Sequence, residues 1–141
     1  MSWSIHHVNI QANDVRRCAE FYTSILGMTE GDWVLPASGA GYVPSSKDRL
    51  SLFEDPTRDG QAQGLHIIKP DPDFAVKNNL RHNPSIGGHF AIQVSDMKAV
   101  IRRLEAAKIP YSDAGAYAIP GLWNIYFEDP EGNLIEVNQK V

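Results

Sequence analysis

The chain has 141 residues and a single cysteine, Cys18. One cysteine excludes an internal disulfide framework and a zinc cage built from thiolates. No stretch approaches the roughly 18 consecutive apolar residues of a membrane span. No basic segment followed by an apolar run stands near the start, so nothing reads as a secretory leader. Long basic runs are missing too, and the formal net charge is −4. That balance argues against nucleic acid and membrane as partners. GAGY at 39–42 is glycine-rich but lacks the lysine and spacing of a phosphate loop. Ser45 and Ser46 have no identifiable base, so they form no triad signal. What remains is 43% hydrophobic and 21% charged residues, the makeup of a single cytoplasmic globular domain with a sizeable core.

The chain repeats itself. Residues 7–14 read HVNIQAND and residues 89–96 read HFAIQVSD. FEDP follows each, at 53–56 and 127–130. Two matches in the same order indicate a duplicated module. Residues 4–12 alternate like a strand, with Val8, Ile10 and Ala12 on one face and His7, Asn9 and Gln11 on the other. Phe90, Ile92 and Val94 form the matching apolar face, opposite His89, Ala91 and Gln93. A helix is expected after each strand, capped by Asn13 or Asp14 and by Ser95 or Asp96. Gly27 and Pro110 mark the two helix ends. On this spacing Cys18 packs in the core. Three further strands per copy are expected, near 32–36, 49–54 and 65–69, then near 111–117, 122–128 and 133–138. The organisation is one domain, 1–141: module one at about 4–69, a linker at 70–86 and module two at about 87–139.

There are five histidines. His7 and His89 begin equivalent strands and point to equivalent faces. Aligning the strands after FEDP sets His66 against Glu136. Glu136 is unusual in an apolar strand, because an unpaired buried charge is costly. Pseudo-twofold packing would bring His7, His66, His89 and Glu136 to one point. Imidazole and carboxylate suit a divalent transition metal: Zn, Ni, Fe, Mn or Co. His6 faces away from His7 on simple alternation, as a structural or exposed residue, and His82 falls in the linker as a solvated residue. Gln11, Gln93, Trp123 and Tyr117 are candidates for the substrate pocket.

The segments HVNIQANDVRRCAEFYTSILGM, GGHFAIQVSD and YFEDPEGNLIEV together resemble the vicinal oxygen chelate superfamily. This is the group of glyoxalase I, bleomycin-resistance proteins and extradiol dioxygenases. The resemblance implies an α+β fold: two tandem βαβββ modules forming a curled mixed sheet around a metal site. It also implies a homodimer and a small-molecule substrate. His7 and His89 match the first-strand metal ligands, and Glu136 matches the last-strand carboxylate, ligand and general base at once. His66 falls where glyoxalase I usually has Glu and methylmalonyl-CoA epimerases have Gln, so this chain departs from the pattern there. The expected activity is a divalent-metal-dependent lyase or isomerase of the glyoxalase type, working through a metal-stabilised enediolate. One alternative is an Fe(II) extradiol dioxygenase: Tyr126 to Glu136 fits that signature, but Tyr117, Ala118 and Ile119 stand where a histidine is expected. The other is a non-catalytic, resistance-type binding protein.

Overall fold

Seven strands form one mixed, open sheet in the order β2-β3-β1-β4-β7-β6-β5. They are β1 (Trp3–Gln11), β2 (Leu50–Glu54), β3 (Gly64–Ile68), β4 (His89–Val94), β5 (Tyr111–Gly115), β6 (Leu122–Glu128) and β7 (Leu134–Lys140). The computed structural model describes all residues except 33–41, 45, 61, 117, 118, 129, 131 and 132. The strand expected near 32–36, most of the GAGY segment and Tyr117 therefore lie outside the described residues.

The topology repeats as the sequence does. Strand β3 runs parallel to β1, and β7 runs parallel to β4. Strand β2 is antiparallel to β3, and β6 to β7. The halves join through the antiparallel pair β1–β4. Each first strand is followed by a helix, α1 (Val15–Leu26) and α3 (Met97–Ala106). Asp14 and Asp96 cap them, accepting from the backbone N–H of Arg17 and Ala99. Gly27 ends α1 at φ 66°, a left-handed turn that costs glycine little. Helix α3 stops at Ala106, ahead of Pro110.

Each helix covers its own half of the sheet. Val15 and Ala19 pack on Phe53 and Ile67, with Cys18 and Tyr22 beside them. Met97 and Leu104 pack on Val94, Ile125 and Val137. On the other face, Leu50, Leu52 and Ile68 meet Ile119 and Leu122. That contact joins the two halves and curls the sheet around a hollow. Among the described residues no helix is long and apolar enough to cross a membrane.

Two histidines sit where simple sequence rules do not place them. The register of β1 on β4 slips by one between Ile5 and His7. The slip is a bulge, with an extra residue on β1, and it re-aims the side chains around it. His6 is consequently buried beside His7 instead of facing away from it. His82 is also buried, at 9% exposure. Its Nδ1 lies 2.8 Å from Ser112 Oγ. The linker that holds it contains a short helix, α2 (Phe74–Lys77), pinned by the buried Phe74 and by Lys77 donating to Asp71.

Candidate metal centre

The bulged middle of β1, the start of β4 and the middle of β7 meet at the hollow. His7, His89 and Glu136 project into it from these three strands and are 3%, 8% and 5% exposed. His7 Nε2 lies 3.4 Å from His89 Nε2. Glu136 Oε2 lies 3.5 Å from the first and 3.3 Å from the second. These atoms form a nearly equilateral triangle. A point about 2.0 Å from all three exists at its centre, which is the length of a zinc–nitrogen or zinc–oxygen bond. The donor set therefore fits a divalent transition ion in both chemistry and size.

The surrounding hydrogen bonds set the triangle's orientation. His89 Nδ1–H donates to the Pro84 carbonyl at 3.0 Å, which leaves the Nε2 lone pair of a neutral ring facing the triangle. Gly88, at φ 79°, permits the approach just before it: a Cβ there would stand 2.8 Å from the Asn9 carbonyl oxygen. His7 Nδ1 is 2.9 Å from His6 Nδ1. When His7 offers its Nε2 lone pair to an ion, its Nδ1–H donates to His6. Burial pushes the His6 imidazole down to about 4, and neighbouring His7 adds to this, so His6 is neutral and able to accept.

Glu136 answers to opposed effects. Burial raises its pKa, but the nearness of the His7 and His89 imidazoles prevails and holds the carboxyl well below its usual range. Its Oε1 accepts from Asn138 Nδ2 at 3.1 Å. Gln93 Nε2 in turn contacts Asn138 Oδ1 at 3.5 Å. Gln93 thus supports the carboxylate from behind and does not line the hollow.

His66 occupies the register position that matches Glu136. Asn9 faces His66 across β1–β3, as Ala91 faces Glu136 across β4–β7. Its Nε2 donates to the Ala62 carbonyl at 2.7 Å. Its ring stacks on His7, centroids 3.9 Å apart and planes 16° off parallel. The structure thus brings three of the four candidate ligands to one point and lays the fourth against His7. Burial first, then His7, hold His66 well below its usual pKa.

The hollow has an empty volume of about 580 Å³, its solvent-facing mouth included. Apart from the histidines and Glu136, its wall is largely apolar: Leu50, Leu52, Ile68, Phe74, Ile119 and Tyr126. Asn9 also lines it. Alternation put Asn9 on the His7 face, but whether its amide finds a partner depends on tertiary packing. Gln11 lies elsewhere, its Oε1 accepting from the Gly87 N–H at 2.6 Å. Trp123 lies elsewhere too, donating to Asp113 at 2.8 Å.

Comparison with known proteins agrees with this architecture. The family model described as Glyoxalase/Bleomycin resistance protein/Dioxygenase superfamily matches residues 4–137. A "Glyoxylase-like domain-containing protein" of Didymella fabae is 32% identical over 97 residues, covering 69% of this chain and 62% of that protein. The chain thus matches less than two thirds of that relative's length. A "Lactoylglutathione lyase" of Pseudomonas putida is 25% identical over 149 residues, covering 95% of this chain and 83% of the lyase. In fold, the chain resembles a crystal structure of methylmalonyl-CoA epimerase from Mycobacterium tuberculosis. The TM-score is 0.61 at 21% identity, covering 97% of this chain and 87% of the epimerase.

Proposed function

Since the chain belongs to the Glyoxalase/Bleomycin resistance protein/Dioxygenase superfamily, we propose that it is a divalent-metal-dependent lyase or isomerase of the glyoxalase type. Its substrate is a small molecule with vicinal oxygens. The observation that supports this most is the buried triangle of His7 Nε2, His89 Nε2 and Glu136 Oε2. These residues would hold Zn, Ni, Fe, Mn or Co. A divalent ion there supplies Lewis-acid polarisation of the substrate oxygens.

Glu136 is the proton acceptor. Asn138 holds its Oε1 while Oε2 faces the hollow's imidazoles. A carboxylate so placed can take a proton from carbon beside a carbonyl and return it to the neighbouring carbon. The apolar wall limits the water that could compete for that proton. A second copy of the chain is the proposed partner; β1 exposes Trp3, Ile5 and Val8, an apolar strip available for it.

Solvent-deuterium incorporation into 2-hydroxy carbonyl compounds tests the reading. The metal-loaded protein should take up about one ion per chain and exchange the proton, and Glu136→Gln should lose the exchange. Failure to take up any of the five metals contradicts it. A second reading, an Fe(II) extradiol dioxygenase, draws on Tyr126, which lines the hollow with its ring centroid 6.0 Å from that of His89. Oxygen uptake with catechols by the iron-loaded protein would favour it. Ile119, near the place where an acid–base histidine is expected, adds an apolar wall instead.

A further inference from the structure

Asn9 is a polar residue of the hollow that the proposed metal centre does not use. It follows His7 by two positions in β1 and so shares its face. It stands opposite His66 on one side and His89 on the other. It is 6% exposed and lines the hollow. Its Oδ1 has no hydrogen-bond partner. A buried amide oxygen without a donor destabilises the fold.

The fold does not require an amide at this position. The matching residue of the second half, opposite Glu136, is Ala91, which is fully buried. The surrounding wall of Leu50, Leu52 and Ile68 offers no side-chain donor. Asn124, the other amide lining the hollow, directs its Nδ2 to the carbonyls of Gly115 and Leu122. Among the described residues, no lysine or arginine lines the hollow. The protein's own groups therefore leave Asn9 Oδ1 without a donor.

We infer that Asn9 is a specificity-determining residue, its Oδ1 accepting a hydrogen bond from a hydroxyl of a substrate bound beside His7, His89 and Glu136. This rests on the proposed metal-centre reading. The ligand it selects is compact, with a hydroxyl in its vicinal oxygen pair. A site built around such a bond discriminates strongly against an analogue lacking the donor.

Lactate and pyruvate provide the test. They share charge, carbon skeleton and vicinal oxygens, but only lactate carries a donor on the second carbon. Calorimetry would give the ratio of their affinities in wild type, Asn9→Leu and Asn9→Asp, with and without manganese. The lactate preference should fall about tenfold in Asn9→Leu. It should stay within about twofold in Asn9→Asp, which keeps an acceptor at the same place. Circular dichroism checks folding, and Asn9→Ala replaces Asn9→Leu if the latter does not fold, because the sheet holds alanine at the matching Ala91. An unchanged ratio in the folded acceptor-less variant overturns the inference. So does binding of neither acid to the wild type at millimolar concentration. Manganese uptake is read separately: its absence in wild type overturns the metal-centre reading, while the ratio without metal still decides Asn9.

Discussion

The two halves of the sheet follow one backbone plan and fill one register position differently. In the first half Asn9 stands opposite His66, and in the second Ala91 stands opposite Glu136. Glu136 reaches the imidazoles of His7 and His89. His66 instead donates to a backbone carbonyl and stacks on His7. Duplication would supply a symmetric set of four ligands, yet only the second half presents its last-strand side chain to the triangle. The first half uses its last-strand residue as a wall and adds an acceptor at Asn9. A repeated fold can thus diverge at one register position, with one half completing the triangle and the other lining the hollow beside it.

The largest expected effect comes from removing these two side chains in turn. Glu136→Ala should weaken manganese binding by about a thousandfold, since even residues that merely support ligands matter by 10–100-fold. His66→Gln should change it by less than about threefold, because its Nε2 is already engaged. Isothermal titration on both variants measures the contrast. Comparable losses would show that both halves supply ligands.

The next effect concerns what the halves share. Ile67 and Ile125 are both 0% exposed and lie under α1 and α3 respectively. Truncating either to alanine should cost about 2–5 kcal/mol, as other buried Ile→Ala changes do. Urea unfolding should show a single transition for both variants. Separate transitions would mean that each half folds as its own unit.

A smaller difference lies in how His7 and His89 are supported. His89 rests on a backbone carbonyl and His7 on a side chain. His6→Ala should weaken metal binding by about tenfold without changing the fold, read by titration and near-ultraviolet dichroism. Unchanged affinity would leave His6 a packing residue only.

The smallest effect concerns the helices. Arg16 of α1 forms a two-pronged pair with Glu30, at 3.0 and 2.6 Å, and Ser51 adds a hydrogen bond. Among the described residues no ion pair ties α3 to its strands. The Arg16 hydrogen bond holds the Glu30 carboxyl below its ordinary value, despite an opposing effect of burial. Its stabilisation is therefore present above the unfolded pKa of about 4.3 and is lost as pH falls through the lower folded value. Glu30→Gln should cost about 1 kcal/mol at pH 7, a modest figure because the pair is partly exposed. Denaturation from pH 7 down to the acid limb should show the gap to wild type closing. A gap that widens on acidification would reverse the sign.

Much of this asymmetry was legible in the sequence. Alternation in HVNIQAND and HFAIQVSD placed His7, Asn9 and His89 on the face that becomes the hollow. The FEDP alignment set His66 against Glu136, which the ladders reproduce residue for residue. What escaped depended on partners distant in the chain. The bulge that turns His6 inward exists only in the register with β4. His82 is buried because Ser112, on β5, meets its ring. The unpartnered oxygen of Asn9 emerges only when both neighbouring strands and the wall are in place. Likewise His66 keeps its register but gives its Nε2 to a carbonyl four residues back, a local bond that strand alternation does not encode.

The most direct measurement is a crystal structure of the manganese-loaded protein with anomalous data. The expected result is one strong anomalous peak within about 2.3 Å of His7 Nε2, His89 Nε2 and Glu136 Oε2, with His66 still bonded to Ala62. A peak elsewhere, or an ion ligated by His66 in place of Glu136, would contradict the division of roles between the two halves.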